Sequence, residues 1–265
     1  MRAIWLTDIH LEFLDEQALQ VFMQRLGEQN GDAVLISGDI AQAQTVCDYL
    51  ARMADFLEKP IYFVLGNHDF YGSSISAVRD TVSGVSKRFP HLQWLTGRGP
   101  VHLNGSTCLI GHDGWGDARL GDYHGSTVDL SDFYLIHELA GLSKQDRLVK
   151  LRQFGDEAAA HLKAVLPEAL ESADHVVVLT HVPPFRQAAW YQGRPSDDQW
   201  LPFFSCKAVG DVLHEAMESQ PRKRMTVLCG HTHGGGRSQI RPNLLTLTGP
   251  ARYGHPVIQG IFDLT

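Results

Sequence analysis

The sequence predicts an α/β protein of two packed β-sheets with helices on their outer faces. Two observations carry that prediction. Short apolar runs alternate with stretches of helical periodicity through the first half, and strand-like runs dominate later. With 265 residues, the chain fits one large domain spanning 1–265.

Taken in order, Ala3–Leu6 is an apolar run of strand length, followed by Glu16 to Gln29 with Leu19, Phe22, Met23 and Leu26 at helical spacing. Ala33–Ile36 repeats the pattern, its helix marked by Val46, Tyr49, Leu50, Met53 and Leu57. Ile61–Leu65 leads to a third helix from Ser74 to Arg88. His91–Leu95 and Val101–Ile110 read as sheet, the second as a hairpin turning at Asn104-Gly105. Gln145 to Ser172 is a long helical stretch rich in Leu, Ala, Lys and Glu, with a break expected at Pro167. Val176–Leu179 and Thr226–Cys229 are further strands, and Gly236 to Leu264 alternates as closing strands. Two stretches, 111–143 and 182–207, lack periodicity. Each follows a strand, and both are expected to form loop insertions that wall a site.

Five of these runs end in residues that ligate metals: Asp8-Ile9-His10, Gly38-Asp39, Gly66-Asn67-His68-Asp69, Thr180-His181 and Gly230-His231-Thr232-His233. Ligand sites of open α/β sheets lie beyond the carboxyl ends of strands. Each piece has an ordinary reading when taken alone. Asp8 can cap a helix, Gly66-Asn67 can serve a turn, and His181 before Val182-Pro183-Pro184 can be a plain loop residue. The ordered set of five outweighs those readings, because the ordinary account needs seven coincidences.

That order and those residue types resemble the calcineurin-like metallophosphoesterase family across Asp8 to His233. The resemblance implies a four-layer α/β/β/α sandwich with a dinuclear metal site at the strand ends. It further implies that Asp8, His10, Asp39 and His233 hold one divalent ion, while Asp39, Asn67, His181 and His231 hold the other, with Asp39 bridging. His68 would donate a proton to the leaving oxygen, with Asp69 holding its ring. The implied reaction is hydrolysis of a small phosphodiester, such as a nucleotide-like one, by in-line attack of a hydroxide bridging the ions. A His, Asp and Asn donor set suits manganese, iron, zinc or cobalt, and the resemblance favours manganese or iron.

Other candidates come from the two loops. His112, Asp113 and Trp115 follow a strand and are candidates to line the pocket, though a glycine-punctuated loop with capping carboxylates explains them equally well. Trp190, with Tyr191 and Trp200, either offers stacking surface or packs its loop onto the body, the second being the more ordinary role, and Arg186, Arg119, Arg194 and Arg237 are unranked candidates to grip a phosphate. An arginine turned inward would favour a phosphomonoesterase.

A net charge of −7 argues against coating of long nucleic acid or an anionic membrane. Arg222-Lys223-Arg224 is the one basic cluster, so a nuclease is disfavoured. A non-catalytic scaffold is disfavoured because no motif position is substituted. No apolar run reaches the roughly 20 residues of a membrane span, and no signal-peptide layout precedes the first strand. Four scattered cysteines without CxxC spacing fit a reduced, cytoplasmic enzyme.

Overall fold

The computed structural model describes residues 1–264. Its strands are β1 (Arg2–Leu6), β2 (Ala33–Ser37), β3 (Ile61–Val64), β4 (Leu92–Trp94), β5 (Val101–His102), β6 (Thr107–His112), β7 (His175–Thr180), a ribbon of β8 (Trp190–Tyr191) with β9 (Arg194–Pro195), β10 (Arg224–Cys229), β11 (Gly236–Arg241), β12 (Leu244–Thr248) and β13 (Gly260–Asp263). The longer helices are α1 (Glu16–Gly27), α2 (Val46–Leu57), α3 (Ile75–Arg88), α5 (Lys144–Ser172) and α7 (Lys207–Ser219). Short helices α4 (Asp132–Leu135) and α6 (Leu201–Phe204) lie in the two aperiodic segments.

One sheet runs β13-β1-β2-β3-β4 and the other β11-β12-β10-β7-β6-β5. Strands β1 to β4 are parallel, as are β6, β7, β10 and β12, whereas β13, β11 and β5 add antiparallel edges. The period-2 alternation of strand side chains sorts them into layers. Ile4, Leu6, Val34, Ile36, Ile61 and Phe63 face one core with α1 to α3. Trp5, Leu35, Val64, Leu109, Val177, Leu179 and Leu228 meet between the sheets. Ile110, Val176, Val178 and Val227 face the other way, onto α5 and α7. The product is the four-layer α/β/β/α sandwich.

The predicted elements appear within a few residues of their expected bounds, and the hairpin at Asn104-Gly105 joins β5 to β6. Pro167 is the exception, because α5 continues through it to Ser172. A proline inside a helix removes one backbone hydrogen bond, here to the carbonyl of Lys163, at about 3 kcal/mol. The burial of Leu162, Leu166, Ala169 and Leu170 along that stretch offsets the loss.

Candidate metal centre

The parallel strands β1, β2, β3, β7 and β10 point their carboxyl ends to one edge of the sandwich, where the five motif segments meet. Their loops are zipped together by backbone bonds: Asp8 N–H to Gly38 C=O at 3.0 Å, His10 N–H to Asp39 C=O at 3.1 Å, and Gly230 N–H to His181 C=O at 2.9 Å. Five residues here adopt left-handed backbone: Asp8 (φ 48°), His10 (41°), Asp39 (52°), His231 (71°) and His233 (55°). A non-glycine residue so placed costs on the order of 1–3 kcal/mol and persists only where its surroundings impose it. The motif glycines answer a crowding requirement. A Cβ on Gly66 would collide with the Asp39 carboxylate, and one on Gly230 with that of Asp8.

Asp39 is buried and its two oxygens face different groups. Oδ2 lies 3.6 Å from His10 Nε2, which is 3.2 Å from His233 Nε2, itself 3.5 Å from Asp8 Oδ1. One donor atom from each of these four residues falls within 4.8 Å of the others. Oδ1 instead lies 3.4 Å from His181 Nε2, which is 3.0 Å from Asn67 Oδ1. Asn67 Oδ1 is in turn 2.9 Å from His231 Nδ1, and the two imidazole nitrogens are 3.3 Å apart.

The outer atoms of these side chains decide which lone pairs face inward. His231 Nε2 donates to the Phe203 carbonyl at 3.1 Å, and His181 Nδ1 donates to that of Ser37 at 2.9 Å. The Asn67 amide donates from Nδ2 to Asp132 Oδ1 at 2.8 Å, an acceptor that Tyr71 Oη also reaches at 2.6 Å. Three lone-pair atoms, on Asn67, His181 and His231, therefore converge at 2.9–3.3 Å. Such a group is repulsive unless a cation or a proton sits among them. Ionisation reflects the same demand. Burial alone would lower the pKa of His181, but the Asp39 carboxylate and its hydrogen bond carry it up to about 10. His231 is pushed down to about 3 by burial and by its charged neighbour His181. The donor set fits divalent cations, which would replace that proton.

His68 lies at the mouth of the site, its ring 4.6 Å from that of His10 and its Nε2 3.4 Å from Tyr253 Oη. Burial pushes its pKa down to about 4, with Asp39 only partly offsetting this. The ring is therefore neutral near pH 7. Asp69 does not hold it, contrary to the sequence expectation. Its carboxylate accepts three backbone N–H bonds, from Ile40 (2.9 Å), Ala41 (2.8 Å) and Gly66 (2.8 Å), and so staples the Asp39 loop to the Asn67 turn.

An open cleft of about 290 Å³ exposes Asp39, Asn67, His68, His231 and His233. Its walls come from both aperiodic segments, and of the loop residues expected to face a substrate it holds Tyr191 alone. Asp129, Leu130, Ser131 and Asp132 come from the first and Tyr191 and Phe204 from the second, with Tyr71 and Tyr253 completing the rim. The five loop candidates are placed elsewhere. Asp113 turns inward to accept from Leu65 N–H (2.8 Å), Thr96 Oγ1 (2.6 Å), Trp94 Nε1 (3.1 Å) and Arg79 Nε (3.1 Å). His112 is buried in the same region, accepting from Gly114 N–H at 3.1 Å. Trp115 packs on Phe70 and Phe154 behind Asn67, His181 and His231. Trp190 donates to Ser238 Oγ at 3.0 Å and covers Gly234 and Gly236, and Trp200 stacks on Phe204. Arg186 is exposed and paired with Asp198 at 2.8 Å, and Arg119 is held by Asp117 and Asp156. In every case a nearer structural partner has claimed the side chain. Asp132 and Tyr253 gave no signal in the sequence, because neither sits beside a motif, and Tyr71, two residues past Asp69, carries no metal-ligand chemistry that would mark it.

Fold and site together define an α/β/β/α protein with a buried histidine–carboxylate–amide centre at the shared edge of its sheets. The sequence model of the calcineurin-like phosphoesterase family matches residues 1–235. The chain belongs to that family and is a metal-dependent phosphoesterase. Among solved structures it is similar to a phosphopantetheinyl hydrolase from Mycobacterium tuberculosis (TM-score 0.65, 14% identity), covering 95% of this chain and 89% of that one. It is also similar to a dimetal phosphatase from Danio rerio (TM-score 0.60, 14% identity), covering 94% and 87%. A protein from Thermus thermophilus matches with TM-score 0.53 and 13% identity, covering 94% and 88%. At these identities the likeness is one of fold. No curated protein sequence matches significantly. Among the described residues, no helix is long and apolar enough to cross a membrane.

Proposed function

We propose that the protein hydrolyses a small phosphodiester with two divalent ions, one held by Asp8, His10, Asp39 and His233 and the other by Asp39, Asn67, His181 and His231. The split of the Asp39 oxygens between two donor groups supports a bridging role for that carboxylate. The donor set suits manganese or iron. Four free cysteines, three of them buried, support a reducing compartment, the cytoplasm.

When bound, the ions supply a water of lowered pKa and neutralise the phosphoryl oxygens. The chain supplies the rest. Asp132 and Tyr71 hold the Asn67 amide so that its oxygen faces inward, and the Phe203 and Ser37 carbonyls set the tautomers of His231 and His181. His68 faces the leaving oxygen as a neutral ring and donates a hydrogen bond to its developing charge, rather than arriving as an imidazolium.

One observation carries the choice of a diester. No lysine or arginine lines the cleft among the described residues, while Asp129 and four aromatics, Tyr71, Tyr191, Phe204 and Tyr253, do. A dianionic monoester would meet Asp129 without a cationic side chain to offset it. A monoanionic diester needs only the centre itself. The aromatic rim also favours a flat alcohol portion such as a nucleoside. Comparing kcat/KM for bis-p-nitrophenyl phosphate, p-nitrophenyl phosphate and cyclic nucleotides on manganese-loaded enzyme tests the reading. The diesters should dominate, and a dominant monoester rate overturns the choice.

A further inference from the structure

The displacement of Asp69 leaves His68 without its expected partner, and the structure holds another carboxylate nearby. Glu12 lies two residues after His10, in the single 3-10 turn Leu11–Phe13, whose Leu11 N–H bonds to the Ile40 carbonyl at 2.9 Å. Its side chain is 11% exposed, and Oε1 lies 3.5 Å from His10 Nδ1. One donor atom each from His10, Glu12 and His68 lies within 4.8 Å of the others.

Four atoms here are buried without a hydrogen-bond partner: His10 Nδ1, both Glu12 oxygens and His68 Nδ1. A buried polar group left unsatisfied costs about 1–3 kcal/mol, and more when charged. A cluster of four is intelligible if its members serve one another. Their hydrogen-bonding capacities match once protons are assigned. His10 must carry its proton on Nδ1 if Nε2 is to offer a lone pair beside Asp39 and His233, and Glu12 is the acceptor facing that proton. His68 must carry its proton on Nε2 if it is to donate to the leaving oxygen, which leaves Nδ1 as an acceptor. A carboxylate cannot donate to it directly. One water bridging Glu12 and His68 can, because its two O–H groups serve both acceptors.

We propose that Glu12 sets complementary tautomers in the two rings. It accepts Nδ1–H from His10, turning that residue's Nε2 lone pair to the ion. Through a bridging water it keeps Nδ1 of His68 an acceptor, so that His68 presents Nε2–H to the substrate. Glu12 is thus a positioning residue that couples ion holding to leaving-group assistance. The inference rests on the roles proposed above for His10 and His68.

The test uses the full chain loaded with zinc, a diamagnetic ion, and two variants, Glu12→Met and Glu12→Gln. Long-range ¹⁵N–¹H NMR should show His10 as the Nδ1–H tautomer and His68 as the Nε2–H tautomer in the wild type. Glu12→Met keeps the length and loses the acceptor. Its zinc affinity should fall by about 10–100-fold, the usual cost of losing a ligand's outer hydrogen-bond partner, and His68 should become a mixture of tautomers. Glu12→Gln can accept from His10 and donate toward His68, so it should recover most of that affinity and the single His68 tautomer. His68 found as the Nδ1–H tautomer in the wild type overturns the proposal, a result that needs no variant to fold. Unchanged zinc affinity and tautomers in a folded Glu12→Met do the same. If His10→Ala weakens zinc binding and Glu12→Met does not, only this inference falls. If the wild type binds no zinc, the proposed function falls with it.

Discussion

The floor of the cleft and its walls are built on different rules. On the floor, the six other ligand candidates drawn from the motifs gather around the Asp39 carboxylate, and five of the seven sit on left-handed backbone. In the walls, none of the five loop candidates, His112, Asp113, Trp115, Arg186 and Trp190, lines the cleft. Asp113 closes a buried network, the Trp115 and Trp190 rings cover core and backbone, and Arg186 pairs across its own loop. The floor is a set of short polar side chains at strand ends, where direction follows from the strand. A wall residue faces the substrate only if packing has not already taken it.

The sharpest test of that contrast is Asp39→Ala. One carboxylate serves both donor groups, so its loss should abolish binding of both ions and nearly all turnover. The effect should exceed the roughly 10–100-fold cost of losing an outer partner. Two metal equivalents per chain in the purified variant would show that the floor does not depend on this residue.

His68→Ala comes next. It should leave metal content unchanged and lower turnover by about 10²–10³, the usual worth of one donor aimed at developing charge. The loss should be larger for an alcohol leaving group than for p-nitrophenolate, which needs little stabilisation. An equal loss for both would place His68 away from the leaving oxygen.

On the wall side, Asp113→Ala should act on stability rather than chemistry. It strands Arg79 Nε, Leu65 N–H, Trp94 Nε1 and Thr96 Oγ1, and a broken buried charge pair typically costs about 3–5 kcal/mol. Urea unfolding should register that loss, while metal content and kcat of the folded fraction stay near wild type. Lost metal binding without lost stability would make Asp113 part of the site after all.

Tyr191→Ala should have the smallest effect. Tyr191 lines the cleft and also packs against Trp200 and Phe204. Removing a stacking ring worth about 0.5–1.5 kcal/mol should raise KM for a cyclic nucleotide by roughly two- to tenfold. Turnover of a small aryl diester should barely change. An equal rise for both substrates would count against stacking on a base.

Much of the fold was legible because its signals are local. Continuous apolar runs in Ala3–Leu6 and Val176–Leu179 mark strands buried on both faces, and helical spacing in Val46–Leu57 marks a helix with one buried face. Pro167 misled because a proline's local penalty is read directly, whereas the apolar face of α5 that outweighs it is satisfied by distant strands.

By itself, the sequence determined the family, the layered architecture and the candidate ligands that meet at the centre, because metal-ligand chemistry admits few residue types and strand ends place them. Only the tertiary structure decided which partner each remaining polar group finds. Asp69 turned to backbone amides, Glu12 came to face His10 and His68, and Asp132 reached across 65 positions to hold Asn67. A side chain's partner is selected by long-range packing, and neighbours in sequence need not be neighbours in space.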